Sequence, residues 1–172
     1  RYFLIKVKNM SESALQLHNI PPVYDEHSAR LILGSFPSVL SRRTDFFYGH
    51  PQNRFWKVLA KVFDCKVPVT VAEKRQLVLS HHLALFDVIA SCEIAGSADS
   101  AIKNVVPNHL SPILNNSKIT AIFVNGKTAE KYYNKYLRSE TGIDCICLPS
   151  TSPANAAFSL DKLVESWKII AE

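Results

Sequence analysis

The chain has 172 residues, with 20 Lys and Arg against 15 Asp and Glu, a formal charge of +5 and a pI near 9.0. With 47% hydrophobic and 20% charged residues, its composition excludes collagen, a coiled coil and a low-complexity tail. No apolar run approaches the ~20 residues of a membrane helix, so a soluble protein of one main domain is expected. The surplus of five charges admits a polyanionic partner without requiring one.

Arg1 precedes the only methionine, Met10, so residues 1–9 are read as either an upstream extension or a segment of non-native origin and are given no function. Residues 1–28 are read as an extension and approach, extended over Asn19–Asp25, and residues 29–172 as the domain proper. Ala29–Gly34, an apolar run closed by glycine, predicts a buried strand. A polar and aromatic loop runs to Asn53. Phe55, Leu59 and Phe63 then recur at helical spacing with Trp56 and Val62 beside them, and a second helix is expected over Val71–Ser80.

Leu83–Ile89 and Ile119–Val124 predict two more buried strands. The latter leads through Gly126 into a helix carrying Ala129, Tyr132, Tyr133 and Tyr136. Ile143–Leu148 predicts a fourth strand, and Ala157–Ile170 a terminal helix with Leu160, Leu163, Val164, Trp167 and Ile170 on one face. Strands alternating with helices imply a three-layer α/β/α domain with a short, mostly parallel four-stranded sheet. Ligands of such sheets bind beyond the carboxyl ends of the strands. The loops to inspect are therefore Gly34–Asn53, Ala90–Asn104 and Pro149–Ala156.

Two of these loops share a chemistry. Gly34-Ser35-Phe36-Pro37-Ser38 and Pro149-Ser150-Thr151-Ser152-Pro153 set hydroxyls and free N–H groups, neutral donors to phosphate, in proline-shaped turns; Ser and Pro are also simply common in turns. Phe46-Phe47-Tyr48 cannot all face a core from one loop, and an exposed ring beside a cleft can stack on a base. Asn53 starts the next helix and has the bland reading of an N-cap; Arg54 is open between a phosphate ligand and an exposed helix residue.

Other chemistries fit less well. Gly126-Lys127-Thr128 lacks the earlier glycine of a phosphate loop, where Ala121 stands, so a glycine turn into a helix is preferred over nucleotide binding. No GxSxG occurs. His81-His82 point different ways and show no third ligand at a fixed offset, so no metal and no cofactor are expected. Cys65, Cys92, Cys145 and Cys147 form no CxxC pair and are expected to remain reduced. An intracellular location follows, cytoplasmic and nucleoid-associated in a bacterium or nuclear in a eukaryote.

Taken together, Gly34-Ser35-Phe36-Pro37-Ser38, His50-Pro51-Gln52-Asn53-Arg54-Phe55-Trp56 and Pro149-Ser150-Thr151-Ser152-Pro153-Ala154-Asn155-Ala156 resemble, in order, motifs of the uracil-DNA glycosylase superfamily. With Asp87-Val88-Ile89-Ala90-Ser91-Cys92-Glu93 and Gly96-Ser97-Ala98-Asp99-Ser100, the chain is most similar to the hypoxanthine-DNA glycosylase branch. The first motif departs from the superfamily pattern: Phe36 stands where Asp or Asn usually positions the attacking water.

The resemblance implies that this role passes to Asn53 as the catalytic residue. It implies that Phe36, Phe47, Tyr48, Ser91, Asp99 and Ser100 meet the flipped base. The DNA itself would lie on Ser35, Pro37, Ser38, Arg42, Arg43, His50, Ser150, Thr151, Ser152, Pro153 and Asn155. The expected partner is DNA containing a deaminated base, hypoxanthine first, with uracil or a G·T or G·U mismatch as the alternative, and the expected state is a monomer. A non-catalytic nucleic-acid-binding protein of the same fold is the alternative that Phe36 keeps open.

Overall fold

The structure is a computed structural model that describes residues 14–94 and 102–172. Its centre is a four-stranded parallel sheet in the order β3 (Leu83–Asp87), β2 (Arg30–Gly34), β6 (Ala121–Asn125), β7 (Cys145–Leu148). The predicted strands are all present, each a residue or two shorter. Their alternating side chains build two cores. Ile32, Leu85, Phe123 and Leu148 pack on one face with α2 (Phe55–Val62), α3 (Val71–Ser80) and α7 (Leu160–Trp167). Leu31, Leu33, Ile122 and Val124 pack on the other with α4 (Ser111–Asn115) and α5 (Lys127–Tyr136). The expected three layers result. None of the described helices is long and apolar enough to cross a membrane.

Local chemistry sets the helix starts. Thr70 and Glu73 form a reciprocal capping box at α3, and Ser159 caps α7. Gly126, at φ 94°, makes the turn from β6 into α5, as expected of a glycine turn rather than a nucleotide loop. The terminal helix ends at Trp167 and continues as a 3-10 turn over Lys168–Ala171. Short helices the periodicity did not announce are α1 (Val39–Thr44), inside the first loop, and α6 (Arg138–Thr141).

One expectation is overturned. The loop foreseen at Ala90–Asn104 contains most of β4 (Ile89–Ile94) and the start of β5 (Ile102–Pro107). Both belong to a second, antiparallel sheet ordered β1-β4-β5, in which β1 (Ala14–Leu17) pairs with β4. The single strand expected over Leu83–Ile89 is thus two. The chain leaves the parallel sheet after Asp87, and only Val88 separates β3 from β4. Within the approach segment, Val23 bridges Leu85.

Candidate active site

The sheet register defines the site. Asp87 pairs with Gly34, and Leu33 with Val124, so Asp87, Gly34 and Asn125 stand at the carboxyl ends of three adjacent strands. A cleft of about 210 Å³ opens there, bounded by the first-motif loop, Tyr48, Asn53 and the Ser150–Ser152 loop, with Ile94 and Ile102 as an apolar wall. Gly34 has no side chain for a physical reason. A Cβ there would lie 2.4 Å from Asp87 Oδ1 and 3.1 Å from the Tyr48 hydroxyl.

The floor is polar and buried. Asp87 is 3% exposed; its Oδ2 is 2.8 Å from His18 Nε2, and its carbonyl accepts from Asn108 Nδ2. By strict geometry the Tyr48 hydroxyl is buried with no hydrogen-bond partner among the described residues. Burial first, and then the Asp87 charge, push its phenol far above the ordinary tyrosine range, while Asn125 nearby eases the shift. It is therefore a neutral donor. The Tyr48 backbone is in the left-handed region at φ 53°, a conformation that costs of order 1 kcal/mol or more and persists only where its surroundings enforce it. Its ring stacks on Phe55, with centroids 3.9 Å apart.

Asn53 stands just before Arg54, the N-cap of α2, and its side chain reaches both the helix start and the site. Its Oδ1 accepts from the Phe55 N–H at 3.0 Å and from the Thr151 hydroxyl at 2.9 Å. Thr151 Oγ1 in turn accepts from Asn125 Nδ2, while Asn125 Oδ1 accepts the Thr151 N–H. The relay Asn125, Thr151, Asn53 ties the end of β6, the β7–α7 loop and the start of α2 together. Both lone pairs of the Asn53 carbonyl are used, which leaves its Nδ2 for the cleft.

The other expected residues divide by position. Ser35, Phe36, Pro37, Ser38, Arg42, Phe47, His50, Ser150 and Ser152 also line the cleft. Phe36 is half-buried there, with the Arg42 guanidinium 5.3 Å from its ring centre. Phe46 and Phe47 are core residues, 3% and 2% exposed, so of the three aromatics Tyr48 alone is partly exposed. Thr151 is completely buried, and it braces the site rather than meeting phosphate. Ser38 caps α1. Ser150 and Ser152 accept N–H groups of their own loop, and as hydroxyls they keep a proton to donate.

Arg43 and Pro153 are exposed, and Asn155 Nδ2 donates to the Ser150 carbonyl. Ser91 lies in β4 opposite Leu17. Asp99 and Ser100 fall outside the described residues. Arg54 follows neither reading open to it: its guanidinium donates to the carbonyls of Ser152, Asn155 and Phe158 and knits that loop. His18 and Asn125 were not singled out by sequence, and Asp87 entered only as the first residue of the Asp87–Glu93 stretch, with no role assigned. The signal for two of them was a polar residue closing an otherwise apolar strand, Leu-Ala-Leu-Phe-Asp and Ala-Ile-Phe-Val-Asn. Among the described residues no group of three or more His, Cys, Asp or Glu could hold a metal ion.

Fold and cleft define an open-sheet α/β protein with a polar cleft beyond the carboxyl ends of its strands, where such sheets bind their ligands. The sequence model of the uracil DNA glycosylase superfamily matches residues 21–171. A hypoxanthine DNA glycosylase of Methanosarcina acetivorans is 34% identical over 152 residues, 87% of this chain and 94% of that protein. Another from Methanosarcina barkeri is 29% identical over 155 residues, 89% and 96% of the two chains. The solution NMR structure of a candidate uracil DNA glycosylase from Methanosarcina acetivorans superposes with a TM-score of 0.76 at 28% identity, covering 92% of this chain and all of that one. The chain belongs to the uracil DNA glycosylase superfamily. It is a DNA glycosylase, a hydrolase of N-glycosyl bonds in base excision repair.

Proposed function

We propose that the base removed is a deaminated one, hypoxanthine before uracil, and that Asp87 is the group that recognises deamination. Deamination of adenine or cytosine turns a ring nitrogen from an acceptor into an N–H donor. An ionised carboxylate only accepts. Asp87, with Oδ1 beside the gap left by Gly34, satisfies the new N–H and repels the lone pair of the parent base. The buried Tyr48 hydroxyl, without a partner among the described residues, supplies a donor for the new carbonyl oxygen. Both Methanosarcina relatives are named for hypoxanthine, which supports the purine over uracil.

The target nucleotide must leave the stack to reach this floor, at a cost of a few kcal/mol that a mispaired base reduces. Phe36, half-buried on the cleft wall, offers the ring face; the Tyr48 ring is already stacked on Phe55. As the glycosidic bond breaks, its electron pair goes to the base and positive charge develops on the sugar. Asn53 Nδ2 holds a water by one lone pair and leaves the other free to attack C1′, and the water's proton departs to solvent. An amide suffices because water need not be deprotonated before it meets a cation already largely formed. Ser35, Ser150, Ser152, Arg42 and Arg43 bind the phosphates, and the enzyme works as a monomer without metal or cofactor.

The carrying observation is the buried Asp87 carboxylate on the cleft floor. The test offers duplexes with hypoxanthine, uracil, xanthine or a G·T mismatch, followed by alkali to cleave abasic sites. Hypoxanthine is cleaved fastest. An enzyme that releases uracil or thymine but leaves hypoxanthine intact overturns the assignment.

A further inference from the structure

We infer that His18 is a positioning residue for the base pocket, holding the Asp87 carboxylate by Oδ2 so that Oδ1 alone is presented to the base. The inference rests on the reading of the cleft as a base site. Among the described residues one contact orients the carboxylate from the far side: Nε2 of His18 at 2.8 Å, with the two side chains 3% and 5% exposed. A buried carboxylate without such a partner would turn, draw in water or take up a proton, and a protonated carboxyl no longer acts as a pure acceptor.

The imidazole is itself fixed. Phe86 and Phe36 meet it edge-on, with ring centroids at 5.1 and 6.1 Å, and Phe47 lies at 6.3 Å. Its backbone N–H donates to the Ala90 carbonyl. Residues on either side of His18 tie the same segment to the cleft. Gln16 Oε1 accepts from the Arg42 guanidinium, and Asn19 Nδ2 donates to the Arg42 carbonyl and to Asp45 Oδ1. Residues 14–19 thus form a strap across the outer wall of the cleft, and His18 is the point where the strap reaches its floor.

The experiment compares wild type, His18→Leu and His18→Gln under single turnover on a hypoxanthine duplex, with enzyme in excess and titrated. In parallel, anisotropy measures affinity for the same duplex carrying an abasic site. The leucine variant loses roughly tenfold or more in maximal rate, the size expected for a misplaced contact to the reacting partner. Its abasic-site affinity stays within about twofold of wild type, because that ligand has no base for Asp87 to meet. Glutamine, which puts an amide N–H at similar reach, recovers most of the rate.

A leucine variant as fast as wild type overturns the inference. So does equal loss in both variants together with weakened abasic-site binding, the mark of a merely structural histidine. If the wild type releases another base but not hypoxanthine, the base assignment falls alone. The same comparison on the released base then decides His18 by the same criteria, and release of no base by the wild type overturns both.

Discussion

Replacing Thr151 with valine keeps the shape of the side chain and deletes one hydroxyl from the middle of the Asn125, Thr151, Asn53 relay. Two hydrogen bonds go, each worth about 1 kcal/mol net. Thr151 is fully buried, so water cannot replace the hydroxyl. Asn125 and Asn53 are only partly buried, which lets water reach their freed groups and keeps the penalty at the low end; the buried valine methyl returns a little. About 2 kcal/mol of stability is lost, roughly 4–8 °C in Tm for a domain of this size.

The effect on chemistry is larger in proportion. Asn53 keeps the Phe55 N–H alone, its amide is free to tilt, and a water held by the proposed geometry moves off line. The expected loss is tenfold or more in single-turnover rate, since an error of about 1 Å can cost as much as 100-fold. Thr151→Ser, which keeps the hydroxyl and loses a methyl worth about 0.8 kcal/mol, should excise at nearly the wild-type rate. Thermal unfolding and single-turnover excision on one hypoxanthine duplex measure both quantities. A valine variant with wild-type rate, or a serine variant as slow as valine, refutes the relay.

Asn53→Ala removes the proposed holder of the water together with the acceptor of the Phe55 N–H. Excision should fall roughly 100-fold or more with abasic-duplex affinity nearly intact, and substantial residual single-turnover activity would exclude its role. Gly34→Ala forces a Cβ to within 2.4 Å of Asp87 Oδ1. The carboxylate must leave its place, at about 1–3 kcal/mol of overpacking, so both the unfolding midpoint and excision drop; an unchanged midpoint contradicts the register. Tyr48 is held as a neutral phenol by burial and by the Asp87 charge, above its ordinary value near 10. The folded state therefore keeps a proton that the unfolded chain releases, and the contribution, full below about pH 10, is lost as pH rises further. Denaturant unfolding between pH 8 and 11 should show a steeper alkaline decline for wild type than for Tyr48→Phe.

The parallel sheet was legible because burial on both faces writes a strand as a continuous apolar run, and Ala29–Gly34, Leu83–Ile89, Ile119–Val124 and Ile143–Leu148 are such runs. The second sheet was not, for two reasons. Ile89–Ile94 follows β3 after a single residue, so the apolar pattern crosses a change of sheet without a break. β1 buries almost nothing, with Leu15 and Leu17 65% and 63% exposed. Its place comes from pairing with β4, and a pairing between segments that far apart leaves no local periodicity.

The site divides along the same line. Asn53 and the hydroxyl loops stand in contiguous motifs and could be named from sequence, although the amide oxygen, the natural choice to hold a water, is the atom the fold spends on Phe55 and Thr151. His18 and Asp87 are 69 residues apart and meet only because β1 and β3 belong to different sheets that share an edge of the cleft. Yet Gly34, Asp87 and Asn125 carry one signal between them. Each closes a strand at the carboxyl edge without an apolar side chain, where a purely structural sheet would continue its hydrophobic run. The missing side chain between an acid and an amide makes room for the Asp87 carboxylate itself, since a Cβ at Gly34 would lie 2.4 Å from its Oδ1. The consequence is strict: filling that room at Gly34 should do as much harm to recognition as removing Asp87, though glycine makes no contact with the base at all.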